Sequence, residues 1–181
     1  NNEYSGKTIN EVPTLTQTPK QIIKQAEKTK VNILAYTGNE PLVSFEYIKE
    51  IADNFRRGKH ILVTSGFVES IPITELAKNL DCALIDIKSM NESFYENILK
   101  GKLNDVLTAT KLLHDNNVWV EIKIGLYPGV HDNLYDVNKL ISWILNNLDS
   151  NTPLHLINKG VYPEILKKAK KKPVGCPTGL C

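Results

Sequence analysis

The run Val31-Asn32-Ile33-Leu34-Ala35, continued by Tyr36-Thr37-Gly38-Asn39-Glu40-Pro41 and a helix opening at Ser44, reads as a strand, a glycine turn and a helix. Gly38 lets the main chain come close to a ligand, and Glu40 offers a fixed carboxylate, a pairing suited to an ammonium group. Strand ends are rich in glycine and proline for simple turning as well, so this stretch alone leaves both readings open.

The neighbouring segments repeat the pattern. Thr18-Pro19 supplies an N-cap and a proline at the first helical position, and Ile22, Ile23 and Ala26 line one side of a helix ending near Lys30. After Ser44, Phe45, Ile48, Ile51, Ala52 and Phe55 recur at helical spacing until Arg56-Arg57-Gly58 stops the helix. Strands follow at His60 to Thr64, Cys82 to Lys88, Val118 to Ile124 and Leu154 to Ile157. Helices fall between them at about Ile73 to Leu80, Asn91 to Leu99, Asn104 to Asp115 and around Leu140 to Leu148. Residues 1 to 17 show no clear period.

Strands alternating with helices predict an α/β fold with right-handed crossovers and a parallel sheet. Sites in such sheets are built at the carboxyl ends of the strands. Glu40, Ser65, Asp86 with Lys88, Tyr127 with Gly129, and His155 are therefore expected on one rim. Residues far apart in sequence become one ligand site.

The chain of 181 residues, 41% of them hydrophobic, suits one domain with a sizeable core. Its 22 basic and 20 acidic residues are spread along the chain, so no overall field selects nucleic acid. The basic run Lys167-Lys168-Ala169-Lys170-Lys171-Lys172 has no interleaved aromatic residues and reads as a solvated tail. There is no apolar stretch of about 18 residues and no signal-peptide pattern at Asn1-Asn2-Glu3-Tyr4, so a cytoplasmic protein without a membrane partner is expected. Three cysteines, Cys82, Cys176 and Cys181, imply no disulfide framework and no metal site. Glu121 reads as a structural partner of Lys123 or of a neighbouring strand, Trp119 and Trp143 as core, and His60 as a surface histidine.

Taken together, Tyr36-Thr37-Gly38-Asn39-Glu40-Pro41, Thr64-Ser65-Gly66-Phe67, Asp86-Ile87-Lys88-Ser89, Phe94-Tyr95, Tyr127-Pro128-Gly129 with Asp132, and Pro153-Leu154-His155 resemble the radical S-adenosylmethionine (SAM) enzymes in order and spacing. The resemblance runs from about Asn1 to His155 and is nearest to the AmmeMemoRadiSam-system proteins and the pyruvate formate-lyase activating enzymes. It implies an incomplete (β/α) barrel, a partial TIM barrel, over residues 1–160, with 161–181 as a basic tail carrying Cys176 and Cys181. It also implies roles: Gly38, Asn39 and Glu40 toward the methionyl ammonium of SAM, and Ser65 toward the ribose. Asp86 would lie near the methionyl amine, Lys88 and His155 at the methionyl carboxylate, and Tyr127 beside the adenine.

The departure from the family is as informative. Its members open with Cys-x3-Cys-x2-Cys, whose thiolates bind a [4Fe-4S] cluster, whereas no cysteine precedes Cys82 here. In relatives a Gln-Asn pair follows that loop closely, so Asn1-Asn2 resembles the residues just after it. The expectation is the core of a radical SAM enzyme lacking its cluster loop, inactive by itself, whose full-length form cleaves SAM reductively and abstracts hydrogen from a protein substrate such as a glycyl radical enzyme. Two alternatives stand beside it: a cluster-less module binding SAM, a nucleotide or a protein, and a barrel lyase in which Lys88 forms a Schiff base. The edge of the strand at Val31 would be open to homo-association.

Overall fold

The computed structural model describes residues 7–12, 15–127 and 134–158. Asn1, Asn2, Pro128, Gly129, His131, Asp132, the basic run at 167–172, Cys176 and Cys181 lie outside the described residues. Five strands, β1 (Ile33–Tyr36), β2 (Lys59–Thr64), β3 (Cys82–Asp86), β4 (Trp119–Leu126) and β5 (Leu154–Asn158), form one sheet. All pairs are parallel, and the strands lie side by side in sequence order.

That order decides between the two common parallel folds. A doubly wound sheet reverses its strand order and takes helices on both faces, whereas a barrel adds each strand on the same side. Leu62, Ala83, Ile85, Val120, Ile122 and Ile124 are buried at 4% exposure or less, while their strand neighbours Val63, Leu84, Glu121 and Lys123 are only partly covered. One face thus packs on helices, and the other is an inner face left partly open. The described residues form an open arc of a (β/α) barrel.

The helical layer comprises α1 (Pro19–Thr29), α2 (Phe45–Asn54), α3 (Ser70–Ala77), the short α4 (Glu92–Phe94), α5 (Leu103–Asp115) and α6 (Leu134–Asn147). Ile48, Ile73, Leu76, Val106, Leu113 and Leu140 from these helices join the sheet's covered face in one core. Trp143 packs against it as expected. Trp119 instead sits half-buried on the inner face.

Local signals account for most boundaries. Thr18 caps α1 by accepting from the Gln21 amide at 3.3 Å, while the Gln21 side chain accepts from the Thr18 amide at 2.8 Å. Ser44 makes no side-chain cap. The chain instead enters α2 through a tight 3-10 turn, Pro41–Ser44, and its cap is Glu40, which accepts from the Leu42 amide at 3.1 Å. Downstream of α4 the helix widens into a π turn, Tyr95–Leu99, closed by Lys100 in the left-handed conformation. His60 is buried rather than exposed: its Nδ1 lies 2.7 Å from the Tyr36 hydroxyl and its Nε2 3.1 Å from the Phe55 carbonyl.

Candidate functional site at the carboxyl rim

At the end of β1 the turn passes through two consecutive positive φ angles, +91° at Gly38 and +50° at Asn39. A Cβ built on Gly38 would meet nothing within 4 Å, so the turn faces open space. Glu40 then reaches across to the next strand end. Its Oε1 accepts from Leu42 N at 3.1 Å and Thr64 Oγ1 at 2.6 Å, and its Oε2 accepts from Ser65 N at 2.9 Å and Ser65 Oγ at 2.5 Å. A carboxylate has about four acceptor positions, so these donors fill it. Glu40 therefore clips the β1 turn to the β2 end, leaving the main chain of Gly38 and Asn39 as the part of the turn open to a ligand. Ser65 spends its hydroxyl proton on Glu40 and keeps its oxygen lone pairs.

Gly66 completes this corner with φ +73°; a Cβ there would come to 3.1 Å from Ile85 Cγ2 and 3.3 Å from Val106 Cγ1. Its amide donates to Thr64 Oγ1 at 3.0 Å.

Two strands further on, the register aligns Asp86 of β3, Lys123 of β4 and His155 of β5 on one rung. Paired residues of parallel strands share a face, and this one is the inner face. Asp86 Oδ2 lies 2.6 Å from Lys88 Nζ and 2.9 Å from Lys123 Nζ. One carboxylate between two ammonium groups leaves an excess positive charge. One rung below, Glu121 Oε2 lies 2.6 Å from His155 Nε2, and Glu121 Oε1 accepts from Trp119 Nε1 at 3.0 Å. Glu121 thus pairs across to a neighbouring strand rather than with Lys123.

These charges border a cavity of about 270 Å³ walled by Asp86, Lys88, Lys123, Leu99, Tyr127 and Ile157. A second cavity of about 210 Å³ shares Lys88 and Leu99 and extends to Ser65 and Phe67. The larger groove of about 700 Å³ between the starts of α3 and α5, lined by Val68, Ile71, Asn104 and Thr108, contains none of the charged rim residues. Chemistry therefore favours the smaller cavities as the site. Beneath them, burial pushes the Tyr95 phenol above its ordinary pKa, and its hydroxyl accepts from the Lys88 amide at 3.1 Å, fixing the backbone that carries Lys88.

Ser65, Asp86, Lys88 and Tyr127 thus line adjoining cavities. Glu40 joins them through Ser65, and His155 joins through the rung of Lys123. The sequence offers Thr64, Lys123 and Trp119 only as motif, structural or core residues and not as members of the site. Strand alternation placed Lys123 on the face of Asp86 only once the register between β3 and β4 was known.

Among the described residues no group of three or more His, Cys, Asp or Glu side chains could hold a metal ion, and no helix is long and apolar enough to cross a membrane.

A family model described as "Radical SAM superfamily" matches residues 5–144. The chain is 31% identical over 147 residues to an uncharacterized protein of Methanocaldococcus jannaschii, covering 80% of this chain and 43% of that protein. It is 29% identical over 164 residues to the trans-4-hydroxy-L-proline dehydratase activating enzyme of Clostridioides difficile, covering 82% and 54%. The chain thus spans about half the length of these curated relatives. In fold it is similar to a domain of pyruvate-formate lyase-activating enzyme from Bacteroides vulgatus, with TM-score 0.61, 18% identity and coverage of 75% of this chain and 89% of that one.

Proposed function

The chain belongs to the radical SAM superfamily, and we propose that it carries the SAM-holding part of an activating-type enzyme acting on a protein. The observation that carries this reading is the shared rim: an open positive-φ turn at Gly38 and Asn39, and two lysines around one aspartate bordering the adjoining cavities. With Glu40 occupied, the main-chain carbonyls of the turn are the acceptors offered to an ammonium group, and the surplus ammonium charge of Lys88 and Lys123 suits a carboxylate. A methionyl group presents both.

In this reading the Gly38-Asn39 turn receives the methionyl ammonium, and Glu40 holds the turn in place. Ser65 offers its oxygen to a ribose hydroxyl. Lys88 and His155 hold the methionyl carboxylate, Asp86 orients Lys88, and Tyr127 flanks the adenine. Residues 1–160 make up the partial core and 161–181 the tail of a cytoplasmic protein.

When SAM is bound at its [4Fe-4S] cluster, the pair supplies reductive cleavage and hydrogen abstraction. The described residues do not fit that cluster, because they hold one cysteine, Cys82, where the cluster loop supplies three thiolates. In this reading radical chemistry belongs to a longer protein of which this chain is the SAM-holding part.

The test is titration calorimetry of this chain with SAM. Weak saturable binding is expected, reduced about tenfold in Lys88→Ala, the loss of one charge-assisted hydrogen bond. No binding at millimolar SAM would overturn the reading, and tight binding would favour the free-standing module.

A further inference from the structure

The chain Trp119, Glu121, His155 on the inner face contains a carboxylate that no ligand role uses. Trp119 and Glu121 stand two apart on β4, so their side chains share a face. The indole takes one oxygen of Glu121, and the other meets His155 Nε2. Glu121 is the more enclosed partner, its side chain 20% exposed against 47% for His155. A carboxylate pinned from behind in this way presents a fixed acceptor.

A carboxylate offers only lone pairs, so the ring nitrogen facing it carries the proton. That leaves Nδ1, which has no partner among the described residues, as the ring atom available to a ligand. Asp86 and Lys123 face the same rung from β3 and β4. We infer that Glu121 is a positioning residue that fixes the Nε2–H tautomer of His155 and turns Nδ1 toward the ligand. Nδ1 of that tautomer is a bare acceptor, so it takes up a proton from solvent as the ligand's carboxylate binds and then donates to it, with Glu121 on the far side of the charged ring. The ligand half of this inference rests on the proposed role of His155; the tautomer does not.

Two measurements on the full chain separate them. Long-range proton–nitrogen NMR of the ligand-free protein, with His155 assigned by its loss in His155→Gln, reads the tautomer directly. A single Nε2–H form is expected in the wild type, and a mixture with a measurable Nδ1–H fraction in Glu121→Ala and in Glu121→Gln. A mixture already present in the wild type, or spectra unchanged in both variants, overturns the inference. Calorimetric titration with SAM then tests the ligand contact. Glu121→Ala and His155→Ala are each expected to weaken binding roughly tenfold, with the double variant no weaker than either. A fixed tautomer with unchanged SAM affinity supports the positioning role and removes His155 from the SAM site.

Discussion

At the scale of single residues the rim separates groups that hold the fold from groups free to hold a ligand. Glu40 belongs to the first kind. Glu40→Gln would turn an amide NH2 against the donors of Leu42, Thr64 or Ser65, so a loss of about 2–4 kcal/mol is expected, with faster hydrogen exchange at the Ser65 amide. Wild-type exchange rates in the variant would show that the clip does not form. Lys123 is of the second kind. Its pair with Asp86 is partly exposed, so Lys123→Met should change the urea-unfolding free energy by less than about 1 kcal/mol while weakening SAM binding. A large stability loss would reassign it to structure.

Burial raises the phenol pKa of both Tyr36 and Tyr95. The unfolded chain therefore ionises first: it releases protons above the ordinary tyrosine pKa of 10.0 while the native state keeps them. The stability these phenols confer is whole below that pH and is lost as pH rises toward their folded values. Absorbance titration should find these two phenols ionising together with unfolding; smooth titration of all tyrosines in the native state would refute this.

At the scale of elements, the caps and turns carry measurable weight. Thr18→Ala should cost about 1 kcal/mol, because it removes one half of a reciprocal cap. Gly66→Ala should cost more, about 1–3 kcal/mol, since it combines a positive φ with methyl contacts to Ile85 and Val106. Denaturant midpoints for the pair check the order. The α1 cap was legible because Thr18, Pro19 and Gln21 are adjacent in sequence. The start of α2 at Ser44 is legible as well, but the 3-10 turn before it is not, because its cap, Glu40, is fixed by donors at the end of the next strand. His60 was misread for the same reason: its partners come from β1 and the end of α2, so nothing local announces its burial. The π turn at Tyr95–Leu99 was read only as a helix, because a widened turn leaves the apolar spacing nearly unchanged.

For the whole molecule, alternation of strands and helices sufficed for the parallel sheet and for Ser65, Asp86 and Lys88 at strand ends, whereas His155 lies near the amino end of β5. Sidedness did not follow from that alternation: β4 shows its two faces only through its burial pattern, because Glu121 and Lys123 alternate with buried Ile122 and Ile124. Among the described residues β1 and β5 each have one strand partner, and Ile33 and Ile157 are 39% exposed. Unpaired edges with apolar residues favour association, so light scattering over a dilution series should show an oligomer that dissociates, and Ile33→Lys should shift it toward monomer. A monomer at every concentration would argue against edge pairing.

The alignment of Asp86, Lys123 and His155 also limits how this chain can change. Because β4 counts by twos, exchanging one side chain for another leaves every other residue facing as before. Deleting a single residue between Trp119 and Lys123 would invert the remainder of the strand, pressing an ammonium group into the helix layer and turning an isoleucine out to water. Such a gene can drift by spelling more than by length: outside Glu121 and Lys123, descendants of this protein should vary in the letters of β4, apolar for apolar, while keeping its count.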